Sequence, residues 1–200
     1  SDKMQILKML TRLRQLCLEP RLVYDNIDQP SSKLKACMEL IKTMQENKQK
    51  VLLFSSFTSA LDLIAEECQK AGITYYMLTG STNKEERREL VSRFQKDNTT
   101  LFLISLKAGG TGLNLTSAEN VIHYDPWWNV SAQNQATDRA YRIGQKSNVQ
   151  VFNLVMKDSV EEKIIEMQKR KKELADMFVE NNSGGLSQMS KEDILSLFTM

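Results

Sequence analysis

Five short apolar runs, separated by segments of helical character, constrain the fold of this chain more than any other feature. They lie at 51–55 (VLLFS), 74–78, 101–105 (LFLIS), 120–124 and 149–155. Between them the pattern predicts helices at 59–71, closed by Gly72, from a cap at Asn83 to Phe94, and over 130–141. Strands of this length alternating with helices predict a parallel, doubly wound α/β sheet. Their near-continuous apolar character predicts a sheet covered on both faces.

Both flanks read as helical. Residues 3–18 place Met4, Leu7, Leu10, Leu13 and Leu16 at amphipathic spacing, and Pro20 stops the helix. Ser31 or Ser32 caps a helix over 33–47. Ser159 opens a long charged helix to 179, NNSGG at 181–185 reads as a flexible linker, and 190–198 reads as a short terminal helix whose Ile194, Leu195, Leu197 and Phe198 dock it on the core. The expected organisation is a flank at 1–32, an α/β core at 33–156 and a helical C-terminal part at 157–200. A length of 200 residues fits one such core with helical extensions.

Composition excludes several function classes. The net charge is +2, with 27 basic against 25 acidic residues, so bulk charge names no partner. No apolar run is long enough to span a membrane, and no signal pattern opens the chain, so no membrane partner is expected. Cys17, Cys37 and Cys68 form no CxxC pair, which fits buried thiols in a reducing compartment. His123 is the single histidine, so multi-histidine metal sites are excluded and no metal site is expected. Its place within an apolar strand predicts a core residue, and GxSxG is absent. GxxxxGK[ST] is absent as well.

Residues 105–145 carry the chemistry. After the third strand, Gly109, Gly110 and Gly112 allow close backbone approach and expose amide groups at the carboxyl end of a strand, where open α/β sheets bind ligands. A tight turn without a ligand explains the same glycines. Further on, Gln135, Asp138, Arg139 and Arg142 fall at i, i+3, i+4 and i+7 and share one face of the predicted helix. Two such arginines suit an anion. A solvated Asp–Arg face explains the same spacing.

Taken together, SLKAGGTGLNL at 105–115 and QATDRAYRIGQ at 135–145 resemble the paired fifth and sixth motifs of superfamily-two helicase-like ATPases, in the variant of the Swi/Snf family of DNA-dependent ATPases. The resemblance covers nearly the whole chain. VLLFSSFTSALDLI (51–64) is similar to the fourth motif, and LTGST (78–82) with Arg87 and Phe94 to the GST…R…F stretch. YDPWWN (124–129) is similar to the tryptophan-bearing segment, LTRLRQLCLEP (10–20) to the preceding helix, and VEEKIIEMQKRKKELAD (160–176) to the C-terminal helix. The chain departs from the pattern at Thr79, often acidic in the family, at Glu19, often His, and at Lys107, usually Arg.

The resemblance implies the second, C-terminal RecA-like lobe of a two-lobed motor, with the P-loop and the magnesium-holding acidic pair on a first lobe. ATP would lie between the lobes. Arg139 and Arg142 match the arginine fingers, and Gly110, Gly112, Asn114 and Gln135 match nucleotide-side positions. Across the cleft, Ser55, Ser56, Gly80, Ser81, Arg87, Lys107 and Trp128 match the side facing double-stranded DNA. The implied cofactors are ATP and Mg2+. The implied partners are duplex DNA, the N-terminal lobe of the same polypeptide and DNA-bound proteins. The implied location is intracellular: nuclear in a eukaryote, cytoplasmic or nucleoid in a bacterium. The implied activity is ATP-driven translocation or remodelling, absent from the lobe alone. The alternatives are a non-catalytic DNA- or protein-binding module and an RNA helicase lobe. Asp138 and YDPWWN favour the DNA translocase over the latter.

Overall fold

The computed structural model describes residues 2–109, 113–140 and 148–180. Five strands, β1 (Val51–Ser55), β2 (Tyr75–Leu78), β3 (Leu101–Ser105), β4 (Asn120–His123) and β5 (Gln150–Asn153), form one parallel sheet in the order β2-β3-β1-β4-β5. In the central register Val51 lies between Leu101 and Asn120, and Phe54 between Ile104 and His123. The carboxyl ends of the strands therefore open onto one edge, where ligand loops belong.

The helices are α1 (Asp2–Leu18), α2 (Ser32–Glu46), α3 (Thr58–Lys70), α4 (Lys84–Lys96), α5 (Leu106–Gly109), α6 (Val130–Asp138) and α7 (Val160–Glu180). Alternation across the pleat divides the core into two layers. Val51, Leu53, Leu101 and Leu103 pack with Ile41, Leu61 and Ile64 of α2 and α3. Leu52, Phe54, Phe102 and Ile104 pack with Phe94 of α4 and with Leu115, Trp127 and Ala136. Every residue of β1 and β3 is buried, which is why these strands read as unbroken apolar runs.

Local signals set the boundaries. Ser31 Oγ accepts from the Leu34 amide at 3.0 Å, and Asn83 Oδ1 from the Glu86 amide at 2.9 Å, so each caps its helix. Gly72, at φ +67, lets the chain leave α3 while the Ile73 amide closes back on the Cys68 carbonyl. Pro20 begins a short 3-10 turn, Pro20–Leu22, directly after α1. The three thiols are free. Cys37 and Cys68 are buried, and burial pushes the Cys68 thiol up to about 12.

Three expectations are corrected. The predicted helix over 130–141 ends at Asp138: the Arg139 and Ala140 amides bond three residues back, to the Ala136 and Thr137 carbonyls, and the Arg139 carbonyl accepts from the Leu115 amide at 3.2 Å. One helical turn, α5, follows β3 directly where a glycine loop was expected. Among the described side chains of α1, the apolar stripe packs near the C-terminal end, while Ile6, Leu7, Met9 and Leu13 stay exposed. The expected linker at 181–185 and helix at 190–198 lie outside the described residues.

Candidate functional site

Three groups of side chains gather the expected site residues. The first surrounds Asp125, which is 2% exposed just after β4. Its Oδ1 accepts from Ser55 Oγ at 2.7 Å and from the Ser56 amide at 3.0 Å. Its Oδ2 accepts from Arg14 of α1 at 3.2 Å. Ser55 was expected to face DNA. It is instead fully buried, donating to Asp125 and accepting from the Phe57 amide at 3.1 Å, so its hydroxyl has no proton left for a phosphate. Ser56 is half-buried, and its Oγ accepts from Arg14 at 3.2 Å. The adjacent tryptophans part as expected: Trp127 is 2% exposed and Trp128 38%.

The second group lies after β2 and β3. Thr79 and Thr82 close a turn through Thr79 N–Thr82 Oγ1 at 3.0 Å, presenting Gly80 and Ser81 to solvent. A Cβ at Gly80 would stand 3.7 Å from Lys107 Cβ, so the expected backbone contacts Gly80, Ser81 and Lys107 are neighbours in space. Beside them an open groove of about 770 Å³ is lined by Thr82, Lys84, Arg87, Arg88, Leu113 and Asn114. Arg87, expected on the DNA side, and Asn114, expected on the nucleotide side, both line this groove. The cause is Gln95 of α4, whose amide donates to the Asn114 carbonyl at 2.8 Å and accepts from the Ser117 amide at 2.9 Å. It draws the segment after the glycines onto α4.

The third group is the start of 113–117 with the end of α6. Gln135 and Asp138 are exposed, while Arg139 is 6% exposed. The backbone bond from Leu115 to Arg139 joins the two motif-bearing segments directly. Gly110, Gly112 and Arg142 lie outside the described residues.

Behind the site His123 is 1% exposed. It bonds Thr137 Oγ1 through Nε2 at 2.9 Å and packs on Phe54 and Trp127. Burial lowers its pKa to about 4, so it is a neutral core residue at pH 7. Among the described residues no group of three or more His, Cys, Asp or Glu could hold a metal ion. No described helix is long and apolar enough to cross a membrane.

Sequence reasoning missed Arg14 and Asp125, 111 residues apart, and the buried pair of Lys33 with Glu161. It also missed the anchoring of Glu19. Burial alone would raise that carboxyl, but bonds from the Arg21 side chain and the Ser31 amide hold it below its ordinary value. Long-range pairing leaves no local pattern to detect.

Residues 32–144 match the helicase conserved C-terminal domain family. An ATP-dependent helicase of Mycoplasma pneumoniae is 38% identical over 194 residues, covering 96% of this chain and 19% of that protein. The human SWI/SNF-related matrix-associated actin-dependent regulator of chromatin subfamily A member 1 is 35% identical, covering 98% of this chain and 20% of that protein. The chain thus spans about a fifth of the length of these curated relatives. Among solved structures, the Sulfolobus solfataricus SWI2/SNF2 ATPase core in complex with dsDNA is similar, with a TM-score of 0.72 and 32% identity over 96% of this chain and 41% of that one. The C-terminal part of the Fun30 ATPase domain gives a TM-score of 0.66 and 40% identity over 68% of this chain and 45% of that one. The chain belongs to the helicase conserved C-terminal domain family, as the C-terminal RecA-like lobe of the Swi/Snf-type ATP-dependent helicases.

Proposed function

We propose that the chain, with its lobe at 33–156 and helical flanks at 1–32 and 157–200, is the second ATPase lobe of a Swi/Snf-type double-stranded DNA translocase or remodeller. The observation that carries this reading is the 3.2 Å bond from the Leu115 amide to the Arg139 carbonyl. It holds the segment after the glycines against the arginine-bearing segment at the end of α6. Two motifs separated in sequence thereby act at one place.

In this reading bound ATP supplies the phosphoanhydride whose cleavage drives the motor. Mg2+ is held mainly by a first lobe elsewhere in the polypeptide. Gly110, Gly112, Asn114 and Gln135 approach the nucleotide. Arg139 and Arg142 neutralise charge that develops on the transferring phosphoryl group. The enclosure of Arg139 places its charge in low dielectric, where such stabilisation is stronger than in water. Ser56, Gly80, Ser81, Arg87 and Lys107 meet the phosphodiester backbone, independent of base sequence and sensitive to salt. Ser55 holds Asp125 in place, and Trp128 offers an exposed ring beside the Ser56 loop. DNA-bound proteins would be displaced or shifted as the track moves, in the nucleus of a eukaryote or the nucleoid of a bacterium.

The experiment is DNA-stimulated ATP hydrolysis by the full-length polypeptide. Arg139→Ala and Arg142→Ala are expected to lower turnover about 10³-fold or more for the dominant finger. The 200-residue chain by itself is expected to show negligible turnover. Unchanged turnover in both variants overturns the finger assignment, and substantial turnover by the short chain overturns the two-lobe reading.

A further inference from the structure

We infer that Arg14 is a positioning residue for DNA contact: it sets the Ser56 hydroxyl and the Trp128 ring without touching DNA itself. This rests on the translocase reading above. Arg14 belongs to α1, outside the 32–144 family match. Its Nη2 lies 3.2 Å from Ser56 Oγ and 3.2 Å from Asp125 Oδ2. Its guanidinium carbon stands 4.9 Å from the Phe57 ring centre and 5.8 Å from that of Trp128. One guanidinium thus touches both expected DNA-side groups at the end of β1 and after β4.

Three consequences follow from the chemistry. Ser56 Oγ accepts from a cation, so its own proton is free to donate, and a hydroxyl polarised this way is a stronger donor to a phosphate oxygen. The guanidinium stacks near Phe57 and Trp128, which fixes the indole while leaving it 38% exposed. Arg14 itself is only 13% exposed and is neutralised by Asp125, so it adds no net charge to the DNA face. Oδ1 of Asp125 is already satisfied by Ser55 and Ser56. Oδ2 is the position that ties α1 to this loop set. A shift of α1 is therefore felt at the Ser56 hydroxyl and the Trp128 ring together.

The test compares wild type, Arg14→Met and Arg14→Lys in the full-length polypeptide. It measures ATP turnover against duplex DNA concentration at several salt concentrations, with and without DNA, and the melting temperature. Arg14→Met is expected to raise the half-saturating DNA concentration about ten-fold, equivalent to about 1.4 kcal/mol. Arg14→Met combined with Asp125→Asn, which removes both charges of the pair, should keep the slope of the salt dependence, because no charged phosphate contact is lost. DNA-free turnover should fall far less than DNA-stimulated turnover. Arg14→Lys keeps the charge beside Asp125 but not the planar group. It should fall between the two, and it carries the test if Arg14→Met does not fold. Unchanged half-saturation overturns the inference. So does a salt slope reduced by about one phosphate contact in the double variant, which would make Arg14 a direct ligand. Equal losses with and without DNA, tracking a lower melting temperature in both variants, reduce Arg14 to a structural staple and overturn it too. A wild type that ignores DNA sinks the translocase reading and this inference with it. DNA stimulation in wild type matched by Arg14→Met sinks the inference alone.

Discussion

Lys33 with Glu161 and Arg14 with Asp125 both join a flanking helix to the body of the lobe, at 2.7 and 3.2 Å, but their surroundings differ. Lys33 is 2% and Glu161 1% exposed. The ammonium reaches both carboxylate oxygens at 2.7 Å and the Tyr124 carbonyl at 2.8 Å, and Glu161 also accepts from the Met156 amide at 2.8 Å. Burial pushes the Glu161 carboxyl up, and the ammonium beside it pulls it back. This closed pair fastens the first turn of α7 to the first turn of α2. The Arg14 pair sits at the rim instead, sharing its guanidinium with a half-buried serine and an exposed tryptophan. Similar chemistry serves as frame where it is sealed, and as the proposed support for a DNA-facing surface where one side stays open.

The largest expected effect breaks the sealed pair. Lys33→Met leaves the Glu161 carboxylate in the interior without its cation and should cost about 3–5 kcal/mol in chemical denaturation. Adding Glu161→Leu removes the stranded charge and should recover much of that loss. A single variant losing less than about 1 kcal/mol, the range of a surface pair, would erase the distinction between the two pairs.

Acid sharpens the comparison from the rim side. His123 lies at the end of β4, two residues before Asp125, and burial holds it neutral with a pKa of about 4 against an ordinary 6.5. The folded state therefore resists protonation that the unfolded chain accepts. This contribution is complete above pH 6.5 and is lost as pH falls toward 4, by about 3 kcal/mol in full. Denaturation midpoints between pH 7 and 4 should fall more steeply for wild type than for His123→Gln. Identical slopes would place the acid sensitivity elsewhere.

Much of the frame was legible because its signals are local. VLLFS and LFLIS announce buried strands, and Ser31 and Asn83 announce helix starts whose bonds span three residues. The resemblance of 105–115 and 135–145 to paired motifs pointed to two segments that the structure joins through Leu115 and Arg139. The errors arose where distant contacts override local pattern. The helical period from Gln135 predicts a helix to 141, but the described helix α6 ends at Asp138, where the Arg139 and Ala140 amides bond back to the Ala136 and Thr137 carbonyls. Spacing could not reveal that Gln95 draws Asn114 beside Arg87, nor that Arg14 would find Asp125. Adjacency alone said that Trp127 and Trp128 point apart. Packing against Phe54 and His123 decides that Trp127 is the inward one.

The smallest effects separate two neighbouring serines that the sequence treats alike. Ser55 is sealed, and its hydroxyl both donates to Asp125 and accepts from the Phe57 amide. Ser55→Ala leaves a buried carboxylate short of one donor and the Phe57 amide without its acceptor, which should cost about 1.5–3 kcal/mol. Ser56→Ala keeps the backbone amide on Asp125 and loses only an oxygen that receives from Arg14. That change should cost less than about 1 kcal/mol in stability, as expected near the surface. Its larger effect should be on the DNA concentration needed for half-maximal ATP turnover by the full-length polypeptide, because the proposed reading has this hydroxyl meet phosphate. Thermal denaturation and DNA titration of the two variants, read together, decide it. If Ser55→Ala shifts the DNA titration at unchanged stability while Ser56→Ala shifts neither, the roles of the two serines are reversed. The rim pair would then support the other side of the loop.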